Sequence, residues 1–160
     1  MRPMRNAKRE VKDEKYIDEI IMNCDCCRLG LIDGDEVYIV PLNFGYENDN
    51  GKKVFYFHGA KEGRKIDLIG SGAKVGIELD RNHELKESDS ACDFSFVYQS
   101  VIGKGKAVLL EDAAEKTVGL KSIMKHHTGR DNWEFKDAVV EATAVIKLEV
   151  EELSCKEIPR

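Results

Sequence analysis

The stretch RLGLIDGDEVYIVPLNFGY, residues 28–46, carries the clearest indication of the fold. Apolar residues alternate with other residues on both sides of the Asp-Gly-Asp sequence at 33–35. An Asp-Gly pair between two such segments is typical of a β-hairpin, because glycine adopts the left-handed backbone that a tight turn needs. Pro41 lies within the second segment, and proline has no N–H to donate to a sheet. We therefore expect a hairpin whose second strand forms an interrupted edge.

Other segments extend this pattern in both directions along the chain. Asp13 precedes apolar residues at helical spacing, which predicts a capped helix ending near Asn23. Further strands are predicted at 52–58, 73–80, 94–111 and 139–154, further helices at 61–69 and 112–127, and a polar loop at 81–91. Gly103 and Gly105 mark a bulge or corner within the fifth strand. Most strand pairs have no helix between them, so we expect a mainly β fold, a six-stranded split β-barrel with flanking helices.

Length and charge limit the class of protein. The 160 residues are 42% hydrophobic, which suits one domain with one core. We expect an N-terminal arm at 1–12, the barrel domain at 13–154 and a C-terminal tail at 155–160. The net charge of −5 and the pI of about 5.5 argue against nucleic acid as a partner.

The sequence indicates no membrane partner and a cytoplasmic location. No apolar run approaches the ~20 residues that cross a bilayer, and residues 1–15 are too polar for a secretory signal. The chain has five cysteines, three of them in the cluster CDCC: Cys24, Cys26, Cys27, Cys92 and Cys155. Their spacing fits neither a disulfide framework nor a zinc site, so we interpret the cluster as free thiols at a helix-to-strand junction and predict no metal.

The stretch FHGAKEGRK, residues 57–65, is the strongest candidate for a binding site. A strand should end at His58, and a short helix should begin near Ala60 or Lys61. Arg64 and Lys65 would lie one turn into that helix, where both could reach an anion such as a phosphate monoester. The alternative is an ordinary turn followed by solvated basic residues.

Two other segments could complete a site for a flat heterocycle. Around Pro41 the interrupted strand edge leaves backbone groups free, while Asn43 adds an amide and Phe44 a ring face. In YQSVIGKG, residues 98–105, Ser100 offers a hydroxyl and Gly103 a point of close approach. Neither a P-loop nor a Gly-rich dinucleotide fingerprint is present, which excludes a built-in nicotinamide-binding domain.

Three segments, taken in order, resemble the flavin-binding split-barrel family of pyridoxamine 5′-phosphate oxidase-like proteins, and within it the 5-nitroimidazole reductase (nitroimidazole-resistance) branch. They are CRLGLIDGDEVYIVPLNFGYE, VFYFHGAKEGRKIDLI and YQSVIGKGKA, and the similarity extends from about residue 5 to residue 153. The sequence NWEF at 132–135 also matches. The C-terminal segment lacks the Arg-and-His substrate motif of true pyridoxamine phosphate oxidases, which argues against vitamin B6 oxidation.

The resemblance implies a homodimer with FMN bound at the subunit interface. By the same resemblance, the backbone of residues 40–44 would meet the polar edge of the ring, His58 and its neighbours would line the ring and ribityl chain, and Trp133 would cover the cofactor from the partner subunit. The implied cofactor-binding residues are Val40, Pro41, Leu42, Asn43, Phe44, Phe57, His58, Ala60, Arg64, Lys65, Ser100, Val101, Ile102 and Trp133. Arg64 and Lys65 would hold the phosphate, and residues 100–102 would come from across the interface.

Several functions remain compatible with these residues. The resemblance implies an FMN-dependent reductase of nitro-aromatic or other electron-poor small molecules. His58 could donate a proton to the substrate, but we favour a packing or hydrogen-bonding role because the flavin itself carries the electron chemistry. The alternatives are a flavin-binding or redox-sensing protein without turnover, an oxidase-related enzyme with another substrate, and a heme- or metal-binding barrel that uses His58 or the cysteine cluster.

Overall fold

The structure is a computed structural model that describes residues 4–159. Over this range the strands are β1 Glu10–Val11, β2 Cys27–Asp33, β3 Glu36–Leu42, β4 Gly45–Asp49, β5 Lys52–Ala60, β6 Ala73–Lys86, β7 Ser95–Leu110 and β8 Thr143–Ile158. The α-helices are α1 Glu14–Met22, α2 Arg64–Ile69, α3 Ala113–Thr128 and α4 Asp137–Ala142. Short 3-10 helices lie at Ala7–Arg9 and Ala91–Asp93. The fold is therefore mainly β with flanking helices, as the sequence predicts.

The sheet curls into a barrel that stays open along one seam. Its strands are antiparallel in the order β3-β2-β6-β7-β8-β5-β4, and β1 pairs with β8. β3 and β4 lie at opposite ends of this order, yet only Asn43 and Phe44 separate them in sequence. Three Cα–Cα steps reach at most about 11 Å, so the two sheet edges must lie side by side. This confirms the split barrel.

The strand count is eight in this structure instead of the predicted six. The second strand was expected to run without a break through residue 46, but it divides at Asn43 and Phe44 into β3 and β4, which pair with different neighbours. The other additional strand is β1, whose residues pair with Lys156 and Cys155 at the end of β8. Four positions of the predicted tail, 155–158, thus continue β8, and two of them, Cys155 and Lys156, pair with part of the predicted arm.

The barrel interior is filled by alternate residues of the strands. Phe55 and Phe57 from β5, Leu79 from β6 and Val101 from β7 have no exposed surface. Helix α1 covers one end of this core with its apolar residues, Ile17, Ile20 and Ile21. As predicted, Asp13 caps this helix, because its side chain accepts hydrogen bonds from the N–H groups of Lys15 and Tyr16.

Phe44 anchors the chain where it crosses from one sheet edge to the other. Its ring is fully buried, 5.4 Å from the ring of Phe55 and 4.2 Å from the ring of His126 in α3. The His126 ring nitrogen Nε2 lies 2.7 Å from the carbonyl oxygen of Cys24, and burial lowers the pKa of this imidazole. An aromatic anchor at the crossing therefore fixes α3, β4 and the end of α1 together.

Three predicted boundaries are wrong for identifiable reasons. Residues 81–86 continue β6, because this end of the hairpin is exposed and needs no apolar alternation. Residues 139–142 belong to α4 and not to the last strand, since a short apolar segment does not distinguish a helix from a strand. The helix expected from residue 61 begins only at Arg64, because β5 continues to Ala60 and Gly63 has the positive φ that ends the bend.

The glycines of β7 behave as predicted at the bulge. The register of β7 against β8 shifts between Lys104 and Gly105, so that Glu151 has no direct partner. A β-carbon on Gly105 would overlap the backbone of Glu149, which means that the two strands approach this closely only at a glycine. Among residues 4–159, no helix is long and apolar enough to span a membrane.

Gly45 is the residue on which the packing of α3 against β4 depends. A β-carbon at this position would lie 2.5 Å from backbone atoms of Ser122 and Ile123. Replacement of Gly45 by alanine should therefore push α3 away and lower the free energy of unfolding by about 1–3 kcal/mol, the usual cost of overpacking. Urea unfolding followed by circular dichroism measures this change.

Gly30→Ala is the matched control, because a β-carbon there would meet its nearest atom, the carbonyl oxygen of Gly76, at 3.6 Å. Its free energy of unfolding should change by less than about 1 kcal/mol. Equal stability losses in the two variants would contradict the close approach of α3.

Candidate functional site

The candidate site begins at the outer face of β5, where this strand ends. Side chains alternate along β5, so Phe55 and Phe57 face the core while His58 and Ala60 are exposed. Lys61, Glu62 and Gly63 form the bend that leads into α2. The structure thus confirms that the strand, a glycine-containing bend and a short helix follow one another here, with the helix three residues later than expected.

Lys65 folds back over this strand end. Its ammonium nitrogen Nζ lies 3.0 Å from the point where a β-carbon of Gly59 would stand. Side chains alternate along β5, so the missing side chain of Gly59 belongs to the face of Phe55 and Phe57, and the lysine lies against the strand backbone on the side opposite to His58 and Ala60. The result is a cationic group held against an exposed strand, in a space that any other residue at position 59 would fill.

Arg64 points toward the β2–β3 hairpin instead. Its Nε donates a hydrogen bond of 2.7 Å to Asp33, and its Nη2 lies 3.1 Å from a carboxylate oxygen of Glu36. Hydrogen bonds to Asp33 and Glu36 raise the pKa of the guanidinium. The guanidinium carbon also lies 4.7 Å above the ring centre of Tyr38 in β3, a cation–π distance. Arg64 therefore ties α2 to the hairpin, and a ligand anion would compete with these two exposed carboxylates.

The free edge of β3 is the next part of the site. β3 pairs with β2 on one side only, and Pro41, opposite Arg28, lies near its end. A proline on an edge strand sacrifices no ladder hydrogen bond if its nitrogen faces the unpaired side. Val40 and Leu42 are half-buried against the core, while the Asn43 side chain donates a hydrogen bond of 3.1 Å to the carbonyl of Asp25. Backbone groups, more than side chains, are what this edge offers to a ligand.

Three of the predicted residues cannot present their side chains to a ligand. Phe44, Phe57 and Val101 are fully buried in the barrel core. Within the single chain, Phe44 therefore offers no ring face and Phe57 no side chain to a ligand, and their place in a cofactor site stays a prediction. Strand alternation explains the burial of Phe57 and Val101, because a contiguous segment such as 57–60 or 100–102 places every second side chain inside.

Ser100 and Ile102 lie far from this corner within one chain. Both belong to the outer face of β7, where Ile102 is 58% exposed. The cross-strand neighbour of His58 is Val145, which pairs in turn with Leu110, ten positions along β7 from Ser100. Ten residues of extended strand cover up to about 33 Å of chain. Residues 100–102 and the strand end beside Lys65 therefore lie toward opposite ends of β7.

Trp133 packs within its own chain. Its indole N–H donates a hydrogen bond of 3.1 Å to the hydroxyl of Thr128, and the Arg130 guanidinium lies 4.3 Å above its ring. These contacts hold the segment between α3 and α4 and leave Trp133 half-buried. A covering role on a partner's cofactor stays a prediction.

The cysteine cluster has the features of structural thiols. Cys24 and Cys27 are buried, and burial raises the pKa of Cys24 to about 11 and that of Cys27 further. Both therefore remain protonated at neutral pH. Across residues 4–159, no group of three or more His, Cys, Asp or Glu side chains is arranged to hold a metal ion.

Comparison with known families settles the relationship of this chain. Residues 13–157 match the sequence pattern of the pyridoxamine 5′-phosphate oxidase family. The chain belongs to that family. Among solved structures, it is similar to a candidate 5-nitroimidazole antibiotic resistance protein from Bacteroides thetaiotaomicron, with 33% identity over 92% of this chain and 85% of the other and a TM-score of 0.79.

Two more distant members of this structural group share the fold. The flavocytochrome Anf3 from Azotobacter vinelandii is 22% identical over 99% of this chain and 73% of its own, with a TM-score of 0.82. An FAD- and heme-binding protein from Mycobacterium smegmatis is 16% identical over 93% of this chain and 73% of its own, with a TM-score of 0.81. No curated protein matches the chain. At these identities the two structures establish the split-barrel fold alone.

Sequence reasoning missed the partners of the basic pair. Asp33, Glu36 and Tyr38 surround Arg64, although they come from the hairpin at least 26 residues earlier. The alternation of β3 placed Tyr38 on one face with Val40 and Leu42, but nothing in the local pattern connects that face with α2. The sequence did contain a signal for the position of Lys65, because a glycine near the end of a strand, here Gly59, indicates close approach of another group.

Proposed function

We propose that this protein binds FMN and reduces nitro-aromatic or other electron-poor small molecules. The observation that carries the proposal is Lys65, whose ammonium group lies over Gly59 beside the exposed end of β5. A cation in a space kept open by glycine fits the terminal phosphate of FMN, and the free edge of β3 fits a planar ring with hydrogen-bonding groups along one side.

Different residues of this corner would contact different parts of the cofactor. Lys65 would hold the phosphate as a point charge, and Arg64 would join it by exchanging its surface carboxylates for phosphate oxygens. That exchange costs little, because the ion pairs of Arg64 are exposed and solvent screens such pairs. Backbone groups of Val40, Pro41 and Leu42 would face the ring edge, and Ala60 would leave room for the ribityl chain.

Bound flavin would supply the electron-transfer chemistry, and the chain would position the substrate and handle protons. His58 is the titratable side chain on the outer face of β5 beside Gly59, and it is exposed. A histidine there is our candidate for donating a proton to the reduced substrate, with packing against the cofactor as its simpler role.

The similar proteins support a flavin in this fold. One of them is a flavocytochrome, one binds FAD and heme, and the one with 33% identity is named for resistance to 5-nitroimidazole antibiotics. Among these, the last is the basis for the substrate class that we propose. The choice of FMN over FAD rests on the single basic pair Arg64 and Lys65 at the end of β5.

We also propose a homodimer with the cofactor at its interface. Ser100 lies ten residues of β7, up to about 33 Å of extended chain, from the residue beside Val145 and His58, so we infer that the segment 100–102 and the Lys65 corner contact one FMN from different copies. Each chain carries one Lys65 corner and one segment 100–102. A twofold axis would place the corner of each subunit beside the segment 100–102 of the other.

The outer face of the sheet provides a surface for this association. Ile32 and Val37 form a cross-strand pair, Ile39 is opposite Gly30, and Ile102 lies on the same face; all four apolar side chains are more than half exposed. Gly30 pairs in turn with Gly76, so the face is flat between the apolar groups. A flat apolar patch of this kind is typical of a protein–protein interface.

The first test of the proposal is the purified protein itself. We expect a yellow protein whose absorption spectrum is that of oxidised flavin, with FMN released on denaturation. Dithionite should bleach the spectrum, and addition of a 5-nitroimidazole under anaerobic conditions should restore it faster than with the same concentration of free FMN.

A colourless protein that also fails to take up added FMN would eliminate the flavin proposal. Tight FMN binding without acceleration over free FMN would instead identify a flavin-binding protein without turnover. Release of FAD, or tighter binding of FAD than of FMN, would show that the single-phosphate assignment is wrong.

The phosphate assignment predicts a selective loss of affinity. Replacement of both Arg64 and Lys65 by alanine should weaken FMN binding by a few kcal/mol, given about 1.5–3 kcal/mol for each hydrogen bond to a charged group. Riboflavin has no phosphate, so its affinity should hardly change. Fluorescence quenching titrations with both flavins measure the difference.

Lys121→Ala is the matched control, because this exposed lysine lies in α3 and none of the candidate site residues is in that helix. It should leave both affinities unchanged. An equal loss for FMN and riboflavin in the double variant would refute the phosphate site.

The dimer proposal predicts that Ile39→Glu separates the subunits and lowers flavin occupancy together. Burying a charge in an apolar interface is unfavourable, and separated subunits would offer only half of each site. Analytical ultracentrifugation and the flavin-to-protein absorbance ratio give the two readings. Val118→Glu, which changes an exposed apolar residue of α3, should alter neither; a variant Ile39→Glu that remains dimeric and fully loaded would disprove this interface.

A further inference from the structure

A cavity that the flavin residues do not line opens at the end of the barrel covered by α1. Its volume is about 420 Å³, within the range of small-molecule sites. The walls come from the start of α1, the end of β6, the start of β7 and the last residues of β8. None of the residues assigned to the cofactor lines it, so a ligand here would bind independently of flavin.

A β-bulge in β6 shapes this cavity. Arg81 pairs with Gln99 and Glu84 pairs with Val97, so Asn82 and His83 together stand opposite Tyr98. Asn82 adopts a positive φ of 57°, a conformation that is unusual for a residue other than glycine. The extra residue redirects the side chains of Asn82 and His83 toward the cavity wall. Bulges of this kind often lie beside binding sites, because they re-aim side chains.

The floor of the cavity is a buried polar network centred on Gln99, which is 7% exposed. Its amide nitrogen donates hydrogen bonds to the Tyr16 hydroxyl at 3.0 Å and to Glu157 Oε1 at 2.8 Å, and its amide oxygen accepts one from Asn82 at 3.0 Å. The Tyr16 hydroxyl in turn donates to Glu157 Oε1 at 2.9 Å. All of these bonds orient Glu157 without neutralising it.

Glu157 is a half-buried carboxylate without a counter-ion. Both of its hydrogen bonds fall on Oε1, and among residues 4–159 it forms no ion pair with a lysine, arginine or histidine. Its hydrogen bond raises the pKa of the Tyr16 phenol, so this hydroxyl stays a donor to the carboxylate at neutral pH. Buried charges are normally paired with an opposite charge. The second carboxylate oxygen of Glu157, Oε2, lacks such a positive partner.

The other groups that line the cavity also favour a positively charged ligand. Glu84 adds a second carboxylate, and the described residues of the wall include no lysine or arginine. The one histidine, His83, directs Nε2 to Asp80 Oδ2 at a distance of 2.8 Å. Val97 and Ile158 supply an apolar wall. An anion would meet two carboxylates here, whereas a cation with a short hydrocarbon part matches both the charge and the wall.

We propose that this cavity binds a small organic ammonium ion, with its N–H groups on the Glu157 carboxylate and its carbon chain against Val97 and Ile158. Glu157 is the charged partner, and the Tyr16–Gln99–Asn82 network holds its orientation. The proposed ligands are aliphatic amines that are short enough to fit within the cavity. Binding involves no bond formation and no electron transfer.

The test uses pentylamine as the probe, with 1-pentanol as its neutral analogue and pentanoate as its anionic one. The full-length protein, as purified with any flavin it retains, is labelled with ¹⁵N and titrated at pH 7 by NMR. Pentylamine should shift the side-chain amide signals of Gln99 and Asn82 in a saturable way. Pentanol should bind at least tenfold more weakly, and pentanoate should cause no shift of these signals.

Glu157→Gln removes the charge but keeps an oxygen that accepts the two existing hydrogen bonds. This variant should weaken pentylamine binding at least tenfold. Glu151→Gln is its control: residue 151 is exposed on the same strand and outside the cavity, so its affinity should stay within twofold of the original. Val97→Phe, which fills the apolar wall without a change of charge, should abolish binding and provides a second variant if Glu157→Gln does not fold.

Three results would overturn the proposal. They are the absence of saturable pentylamine shifts at Gln99 and Asn82, equal binding of pentylamine and pentanol, and equal affinities of the Glu157→Gln and Glu151→Gln variants. Because none of the cavity residues belongs to the flavin corner, each of these outcomes is independent of whether the protein binds FMN.

Discussion

The crossing of the chain from β3 to β4 at Asn43 and Phe44 is the constraint on which the rest of the structure depends. Two residues must join strands at opposite ends of a seven-strand path, and this is possible only if the sheet curls until its edges lie side by side. Phe44 stabilises that crossing by burying its ring against Phe55 and His126, while Gly45 lets α3 approach the backbone. The seam next to the crossing remains unpaired, so β3 keeps one free edge.

The candidate site follows from this geometry because α2 contacts both the start of β3 and the end of β5. Arg64 bridges from α2 to the β2–β3 hairpin, and Lys65 bridges from α2 to β5. The two neighbouring cations thus hold opposite walls of one corner. Such a corner has positive charge, free backbone groups and little side-chain cover, which is the combination that a phosphorylated planar molecule requires. In our proposal the other half of the site, around Ser100 and Ile102, comes from the partner subunit, because these residues lie ten positions along β7 from the neighbour of this corner.

Long strands explain why the protein has more than one candidate site. β6, β7 and β8 extend well beyond the closed part of the barrel, and bulges at Arg81–Glu84 and Lys104–Gly105 change the direction in which their side chains point. One bulge allows β7 and β8 to follow the barrel curvature at Gly105. The other opens the cavity in which Glu157 stands without a counter-ion. The same structural device therefore serves curvature at one end of these strands and a binding surface at the other.

The sequence by itself determined the mainly β class, the hairpin turns at Gly34 and at Asn50–Gly51, the Asp13 cap, the bulge at Gly105 and the basic pair after β5, because each depends on residues close together in the chain. It also determined the family, through three motifs in order. Only the tertiary structure decided that 36–46 divides between two edges, that Phe44, Phe57 and Val101 turn inward, and that Asp33, Glu36 and Tyr38 surround Arg64. These features depend on how the sheet curls, and curling is set by contacts between residues distant in sequence, which no local pattern of alternation or charge records.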